Sequence, residues 1–158
     1  MSRLKRLETR MKNPSIWLLC LCCAATVQAA EPAGTVKTLK GTAHIERGKD
    51  RMEVGVGTSL QTQDKLLSGP ASGVGITLRD STLLTVGANS MIELNKYTFD
   101  RSTNTGQMDT SIKRGTLAVV SGQITKNNPN EVVFRTNTVT LGVRGTEFII
   151  DVGEEAPR

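Results

Sequence analysis

The sequence predicts an all-β fold: a single domain of short stacked strands in a β-solenoid-like or roll-like arrangement. From Gly34 onward, apolar residues do not recur at a helical period. The segments are short, rich in Val, Ile, Leu and Thr, and separated by Gly, Asn, Asp and Ser, which is typical of strands joined by turns. A β-sandwich is the alternative, because it also places one apolar face of each short strand on a core.

Residues 1–29 are predicted to be a cleavable signal peptide, which leaves 30–158 as the β domain. A basic leader precedes the apolar run "IWLLCLCCAATV", and Val27-Gln28-Ala29 supplies the small residues of a cleavage site. These 12 apolar residues fall short of the roughly 20 that a membrane-spanning helix needs. All three cysteines would leave with the signal, so we expect a periplasmic mature chain with no thiol and no transmembrane segment. Met11 is an alternative start to Met1.

The charge of the chain gives little support for a nucleic-acid partner. The net charge is +5, but the leader holds five of the 20 Lys and Arg and one of the 15 acids, so the mature chain carries 15 − 14, or +1. The mature chain also has few aromatic side chains for base stacking. We therefore expect no binding to nucleic acid.

The predicted elements follow in chain order. A strand is expected at 42–47, with Ala43 and Ile45 pointing inward. Three short strands, which start about every nine residues, are expected within "VGITLRDSTLLTVGANSMIEL". The polar segment 100–109 is predicted to be an exposed loop, 111–120 a strand, 121–131 a polar loop with a turn at Asn128-Pro129, and 132–143 a strand.

The run "NTVTLGVRGTEFII", residues 137–150, changes its inward phase. Val139, Leu141 and Val143 share one parity, whereas Phe148 and Ile150 have the other. Because side chains alternate with a period of two, this predicts a bulge or sharp bend at Arg144-Gly145. Arg144 would then point outward and bond a neighbouring carbonyl or carboxylate, a structural role that we favour over partner contact.

No catalytic or metal-binding constellation is evident. The mature chain has one histidine, His44, and no cysteine. Asp64 and Asp80 are a candidate carboxylate pair, but each lies at a turn, where bonds to backbone amides explain an aspartate more simply. We expect neither an enzyme nor a bound cofactor or metal. Tyr97 and Phe99, beside the polar loop, are possible contacts for a glycan.

Several segments in this order resemble the FecR domain: "GTVKTLKGTAHIERG", "LQTQDKLLSG", "ITLRDSTLLTV", "RGTLAVVSG" and "TNTVTLGVRGTEF". The family's best-known mark is the tetrapeptide Val143, Arg144, Gly145 and Thr146, and Asp64 and Asp80 fall within the other motifs. The resemblance implies an extracytoplasmic β-rich module, known best in proteins that relay iron-siderophore signals through a sigma factor. Only about fifteen residues precede the apolar run here, too few to fold into a sigma-binding domain.

The expected function is therefore that of a secreted periplasmic FecR-like domain. It would act without catalysis, as a protein-binding or signal-sensing module whose partner is another envelope protein of unknown identity. The alternative is a module that binds cell-wall glycan or polysaccharide through Tyr97 and Phe99. The last strand is a possible edge for strand addition by a partner.

Overall fold

The computed structural model describes residues 31–145 and 147–153. The predicted signal peptide and Thr146 lie outside this range. Within the described residues, no helix is long and apolar enough to cross a membrane. The elements are β1 (Gly34–Lys40), β2 (Ala43–Arg47), β3 (Asp50–Glu53), β4 (Ser59–Leu60), β5 (Lys65–Ser68), β6 (Gly73–Leu78), β7 (Leu83–Val86), β8 (Met91–Asp100), β9 (Thr105–Val120), α1 (Gln123–Asn127), a 3-10 turn (Pro129–Glu131), β10 (Val132–Arg135), β11 (Thr140–Gly142) and β12 (Glu147–Val152).

The strands form one curled, mostly antiparallel sheet in the order β3-β2-β5-β8-β9-β7-β6-β1-β4. The predicted all-β, rolled single domain is confirmed. Stacking in chain order, as in a solenoid, does not occur, because most neighbours in the sheet are distant in sequence.

The 16-residue strand β9 connects the two halves of the curled sheet. Its first part pairs antiparallel with β8 and parallel with β10. Its second part, 115–120, lies between β7 and β12. Gly115, at the junction, has a φ of +83°, which a glycine adopts without steric cost. Strand β9 therefore bends where it passes from one half of the sheet to the other.

The core fills the inside of the curl. Along most of the strands, alternate residues point inward, as a period of two requires, and Ala43 and Ile45 do so as predicted. Removal of these side chains from water is the main force that holds the two halves together. The largest fully buried side chains include Phe134, Ile45, Leu60, Leu66, Ile76, Leu84, Ile92, Leu94, Met108 and Ile112.

Two predicted loops are instead largely regular structure. Strands β8 and β9 extend into the polar segment 100–109 and leave only 101–104 as a turn. Cross-strand bonds override the low β-propensity of this segment, and Met108 lies in the core. The predicted loop 121–131 contains α1 and the 3-10 turn, and Ile124 anchors α1 in the core.

The predicted strand 132–143 is wrong. A turn closed by a bond from Thr136 N to Val139 O, 2.8 Å, separates β10 from β11, and the two strands pair as a hairpin. Val139 and Leu141 are exposed as a result, although they were predicted to face inward, and Val143 alone of that set is buried.

Arg144 and Gly145, where a bulge or sharp bend was predicted, lie in the connection between β11 and β12, so no ladder is interrupted there. The two flanking strands do not share one ladder: β11 pairs with β10, and β12 pairs with the second part of β9. The chain changes from one half of the sheet to the other between them. The backbone at Gly145 lies outside the left-handed region, and a Cβ there would meet no atom within 4 Å.

Candidate functional site

Strand β12 forms an edge of the sheet. It pairs antiparallel with β9, from Glu147 opposite Val120 to Val152 opposite Gly115. No second strand pairs with β12 within the described residues. The backbone N–H and C=O groups on its outer side are thus available to another strand.

The inner side chains of β12 fix this strand firmly on the core. Ile150 is buried, and Phe148 packs edge-on against the buried Phe134, with ring centroids 5.1 Å apart and planes at 77°. This T-shaped geometry is a favourable one for two aromatic rings. Strand β12 is therefore packed against the core along its inner face.

An apolar patch lies on the outer face of the sheet beside this edge. The register places Leu83 opposite Val120, and Ile149 opposite Ala118 two residues further along. The exposed fractions of Leu83, Val120 and Ile149 are 44%, 40% and 69%. We name these three residues the outer patch. Exposed apolar side chains that cluster on one face mark interaction sites more often than single ones do.

Two carboxylates flank the outer patch. Glu147 and Asp151 are exposed and share the outward parity of Ile149, so β12 presents the row acid, isoleucine, acid. Asp151 accepts a long bond of 3.4 Å from the Thr116 hydroxyl. Neither carboxylate forms an ion pair with another residue of 31–145 or 147–153.

The family mark lies directly before this edge. Arg144 is exposed, and its Nη2 donates at 3.2 Å to Oδ1 of Asn130, the side-chain carbonyl oxygen of a residue in the neighbouring 3-10 turn. The sequence predicted a carbonyl of a neighbouring turn or a carboxylate as the acceptor. The Ser121 hydroxyl donates to the Gly145 carbonyl at 2.8 Å. A cleft of about 400 Å³ lies here, lined by Ser121, Thr125, Lys126, Pro129, Arg144 and Gly145.

Asp80 joins three parts of the fold. It is fully buried and accepts bonds from the Thr82 hydroxyl at 2.7 Å and the Tyr97 hydroxyl at 3.1 Å, with a longer one of 3.4 Å from the Ile124 amide. The Tyr97 hydroxyl in turn accepts the Asp80 N–H at 2.9 Å. Burial, and then the charge of Asp80, raises the pKa of Tyr97. The Thr82 backbone N–H also donates to Asp80 Oδ1 at 3.3 Å, and this is the bond to a turn amide that the sequence predicted.

Asp64 is held in a different place by a different partner. Arg47 binds its two carboxylate oxygens from Nε and Nη2, both at 2.7 Å, and the backbone N–H of Gln61 donates to Oδ2 at 2.7 Å. The bond to Asp64 raises the pKa of Arg47. This fork of two parallel bonds is a strong form of charge-assisted hydrogen bond. The sequence indicated the turn but not Arg47.

Asp64 and Asp80 therefore do not form a pair, and the carboxylate oxygens of each accept hydrogen bonds from a separate set of neighbours. His44 lies half-buried on β2, opposite Glu53 and Leu67. Among the residues that the structure describes, no group of three or more His, Cys, Asp and Glu could hold a metal ion.

Tyr97 does not lie where a glycan contact would need it. Its exposed fraction is 6%, its hydroxyl is engaged by Asp80, and the Arg79 guanidinium lies over its ring at 5.9 Å from the centroid. Phe99 is half-buried and packs against the core. The two rings do not form an exposed stacking platform.

The apolar pattern of the sequence predicts inward-facing residues, so it did not predict the outer patch. In "EFIID", the parity that places Phe148 and Ile150 inward places Ile149 outward. That signal was present. The contribution of Leu83 and Val120 depends on the pairing of β7, β9 and β12, which no local pattern specifies.

Comparison with known proteins gives one match. A search of curated proteins and of solved structures finds no significant similarity. A scan of protein families matches residues 64–158, more than half of the 158-residue chain, to the family described as "FecR: FecR protein". The matched segment contains β9, the connection at Arg144-Gly145 and the edge strand β12. The chain therefore belongs to the FecR family.

Proposed function

We propose that this protein is a protein-binding module of the cell envelope, which receives a partner strand along β12 and over the outer patch. Membership of the FecR family supports a role in envelope signalling or sensing. The observation that carries the proposal is the edge of β12, which no other strand of the described residues pairs with. Ile149 on this edge is 69% exposed, and it lies beside the exposed side chains of Leu83 and Val120.

An edge strand of this kind offers two sources of binding energy. Main-chain bonds to the incoming strand supply affinity, and side-chain contacts on the sheet face supply specificity. Proteins usually protect such edges with a bulge, a proline or charged side chains, most often lysine. Strand β12 has no bulge, proline or lysine along "EFIIDV", and its exposed charges are the two carboxylates of Glu147 and Asp151.

The proposed module acts without catalysis in the periplasm, after export by the signal peptide. The contacts of Asp64 and Asp80 support a structural role for both carboxylates, because hydrogen-bond donors occupy the oxygens of each. The glycan alternative loses the support of Tyr97, and we do not retain it.

Capture from an envelope extract tests the proposal with a matched pair of variants. Ile149→Lys should abolish recovery of the partner, because a lysine adds charge and bulk to the centre of the outer patch. Val56→Lys is the control, since Val56 is 70% exposed on the loop between β3 and β4. It should retain the partner at the wild-type level.

Equal recovery by wild type and both variants would contradict the proposed binding face. Because both substituted side chains are exposed, each variant should keep its free energy of unfolding within about 1 kcal/mol of wild type. Urea denaturation checks this point, so that lost binding is not confused with lost folding.

A further inference from the structure

The row of outward side chains on β12 restricts which strand could bind there. Glu147, Ile149 and Asp151 alternate along the outer face, with both carboxylates exposed. In an antiparallel or a parallel pair, side chains directly opposite each other lie on the same face and interact. An incoming strand therefore places three of its own side chains against acid, isoleucine and acid.

A second copy of this chain is a poor occupant of the edge. Antiparallel self-pairing centred on Ile149 would bring the two isoleucines together, but it would set Glu147 of each copy opposite Asp151 of the other. Like charges directly opposite destabilise a strand pair. A register centred on Ile150 instead sets Ile149 opposite Asp151, which places an apolar side chain against a carboxylate.

The rest of the outer face does not neutralise these acids. The cross-strand neighbours of Glu147, Ile149 and Asp151 on β9 are Val120, Ala118 and Thr116, none of which carries a charge. No Lys or Arg of the described residues forms an ion pair with Glu147 or Asp151. The positive charge that complements Glu147 and Asp151 therefore has to come from the incoming strand.

We propose that the partner of this edge is a protein strand with a basic, apolar, basic alternation on one face, its apolar residue lying on Ile149 and its two cations lying on Glu147 and Asp151. This inference rests on the proposed function and specifies the chemistry of the partner. The apolar residue extends the outer patch, and the cations form two cross-strand ion pairs.

Designed hairpin peptides test the complementarity directly. Each peptide presents one strand with a central isoleucine, flanked at the two alternate positions by lysine, by threonine or by glutamate. A preformed hairpin is used because preorganisation lowers the entropic cost of binding. Amide chemical shifts of the full chain, recorded during titration, locate and quantify binding.

We expect the lysine peptide to shift the β12 amides and to bind about tenfold more tightly than the glutamate peptide, with the threonine peptide between them. The double variant Glu147→Lys, Asp151→Lys should reverse this order. Equal affinity of the three peptides for β12 would overturn the proposed basic, apolar, basic pattern of the partner, but it would leave β12 as a binding edge. Shifts confined to other parts of the sheet, or no binding at all, would also overturn it, and the Ile149→Lys capture would then decide the proposed function separately.

A single substitution tests the argument against self-pairing. In Glu147→Lys, the introduced lysine would lie opposite Asp151 of a second copy, so two repulsive contacts become two attractive ones. Sedimentation should show a monomeric wild type and a concentration-dependent dimer of the variant. The double variant with Asp151→Lys restores like charges and should be monomeric again.

Glu53→Lys controls for the change in net charge, because Glu53 is exposed on β3, another edge strand. It should remain monomeric. A wild-type dimer that Ile149→Lys dissociates would contradict the inference, since it would show that the acidic row accepts its own copy.

Discussion

Asp80 stabilises the fold through contacts that only a carboxylate in this position provides. Its bonds reach the turn after β6, the Tyr97 hydroxyl on β8 and the first turn of α1. Hydrogen bonds to a buried charge contribute about 1.5–3 kcal/mol each. Gly122 lies close to the backbone of Asp80, and a Cβ at position 122 would be 2.3 Å from the Asp80 backbone carbonyl oxygen.

Asp80→Asn should lower the free energy of unfolding by about 2–3 kcal/mol, because the amide nitrogen would face a hydrogen-bond donor. Asp50→Asn, at an exposed position on β3, should change it by less than about 0.5 kcal/mol. Urea denaturation measures both values. An equal effect of the two substitutions would show that the buried network contributes little.

The buried position of Tyr97 should make the free energy of unfolding fall at alkaline pH. Its pKa is raised in the folded protein, chiefly by burial, whereas in the unfolded chain it should be near 10. Above that value the unfolded state loses a proton that the folded state keeps, so the free energy of unfolding should fall as pH rises through 10 toward the folded pKa.

The measurement is an absorbance titration, because Tyr97 is the sole tyrosine of the chain. No phenolate signal should form near pH 10.5 in the folded protein, and it should appear together with unfolding. Tyr97→Phe should reduce the loss of stability above pH 10. Titration with a normal midpoint in the folded state would contradict the buried position.

At the scale of single elements, β9 depends on a glycine that the sequence did not single out. Gly115 has a positive φ at the bend of β9, and a Cβ there would lie 2.1 Å from the Ser90 hydroxyl oxygen and 2.6 Å from Ser90 Cα. Gly145, the predicted bulge residue, has neither constraint. Strand β9 runs through both halves of the sheet without interruption, and it needs a glycine at position 115 to do so. The connection between β11 and β12 lies outside the strands, and it does not need a glycine at position 145.

Gly115→Ala should therefore destabilise the protein by about 2–4 kcal/mol, through backbone strain and overlap with Ser90. Gly48→Ala has a positive φ but open space, and should lose only about 1 kcal/mol. Gly145→Ala should have an effect below about 0.5 kcal/mol. Thermal or urea unfolding of the three variants separates strain from overlap, and similar losses at all three sites would refute this account of β9.

Local patterns predicted the elements whose two faces differ clearly. The strand 42–47 alternates apolar with polar residues, and its inward residues were assigned correctly. The segment 100–109 failed because its polar residues are held in β8 and β9 by pairing alone. The segment 132–143 failed because Val139 and Leu141 alternate correctly but lie on a hairpin whose apolar residues face solvent.

At the scale of the whole molecule, the sequence predicted the class and the family but not the surface. Class and family follow from composition, spacing and motifs that are local in the chain. The outer patch combines β7, β9 and β12, and the Asp64 and Asp80 networks draw on residues 17 and 44 positions away. Long-range pairing of this kind is set by the whole sheet.

The two halves of the sheet differ in the surface that they present. The half built from β2, β5 and β8 carries Glu46, Lys65 and Glu93 in one outward row. The half built from β7, β9 and β12 carries the outer patch, with acids only at its edge. A binding function assigned to the second half therefore predicts a single, localised contact surface.

Site-specific photocrosslinking in intact cells tests this central claim most directly. A photoreactive residue at position 149 should form one discrete adduct with the partner, and the same residue at position 56 should form none, although both side chains are about 70% exposed. Adducts of equal yield at the two positions, or none at position 149 when the protein is present at its native level, would contradict the claim that β12 is the binding edge.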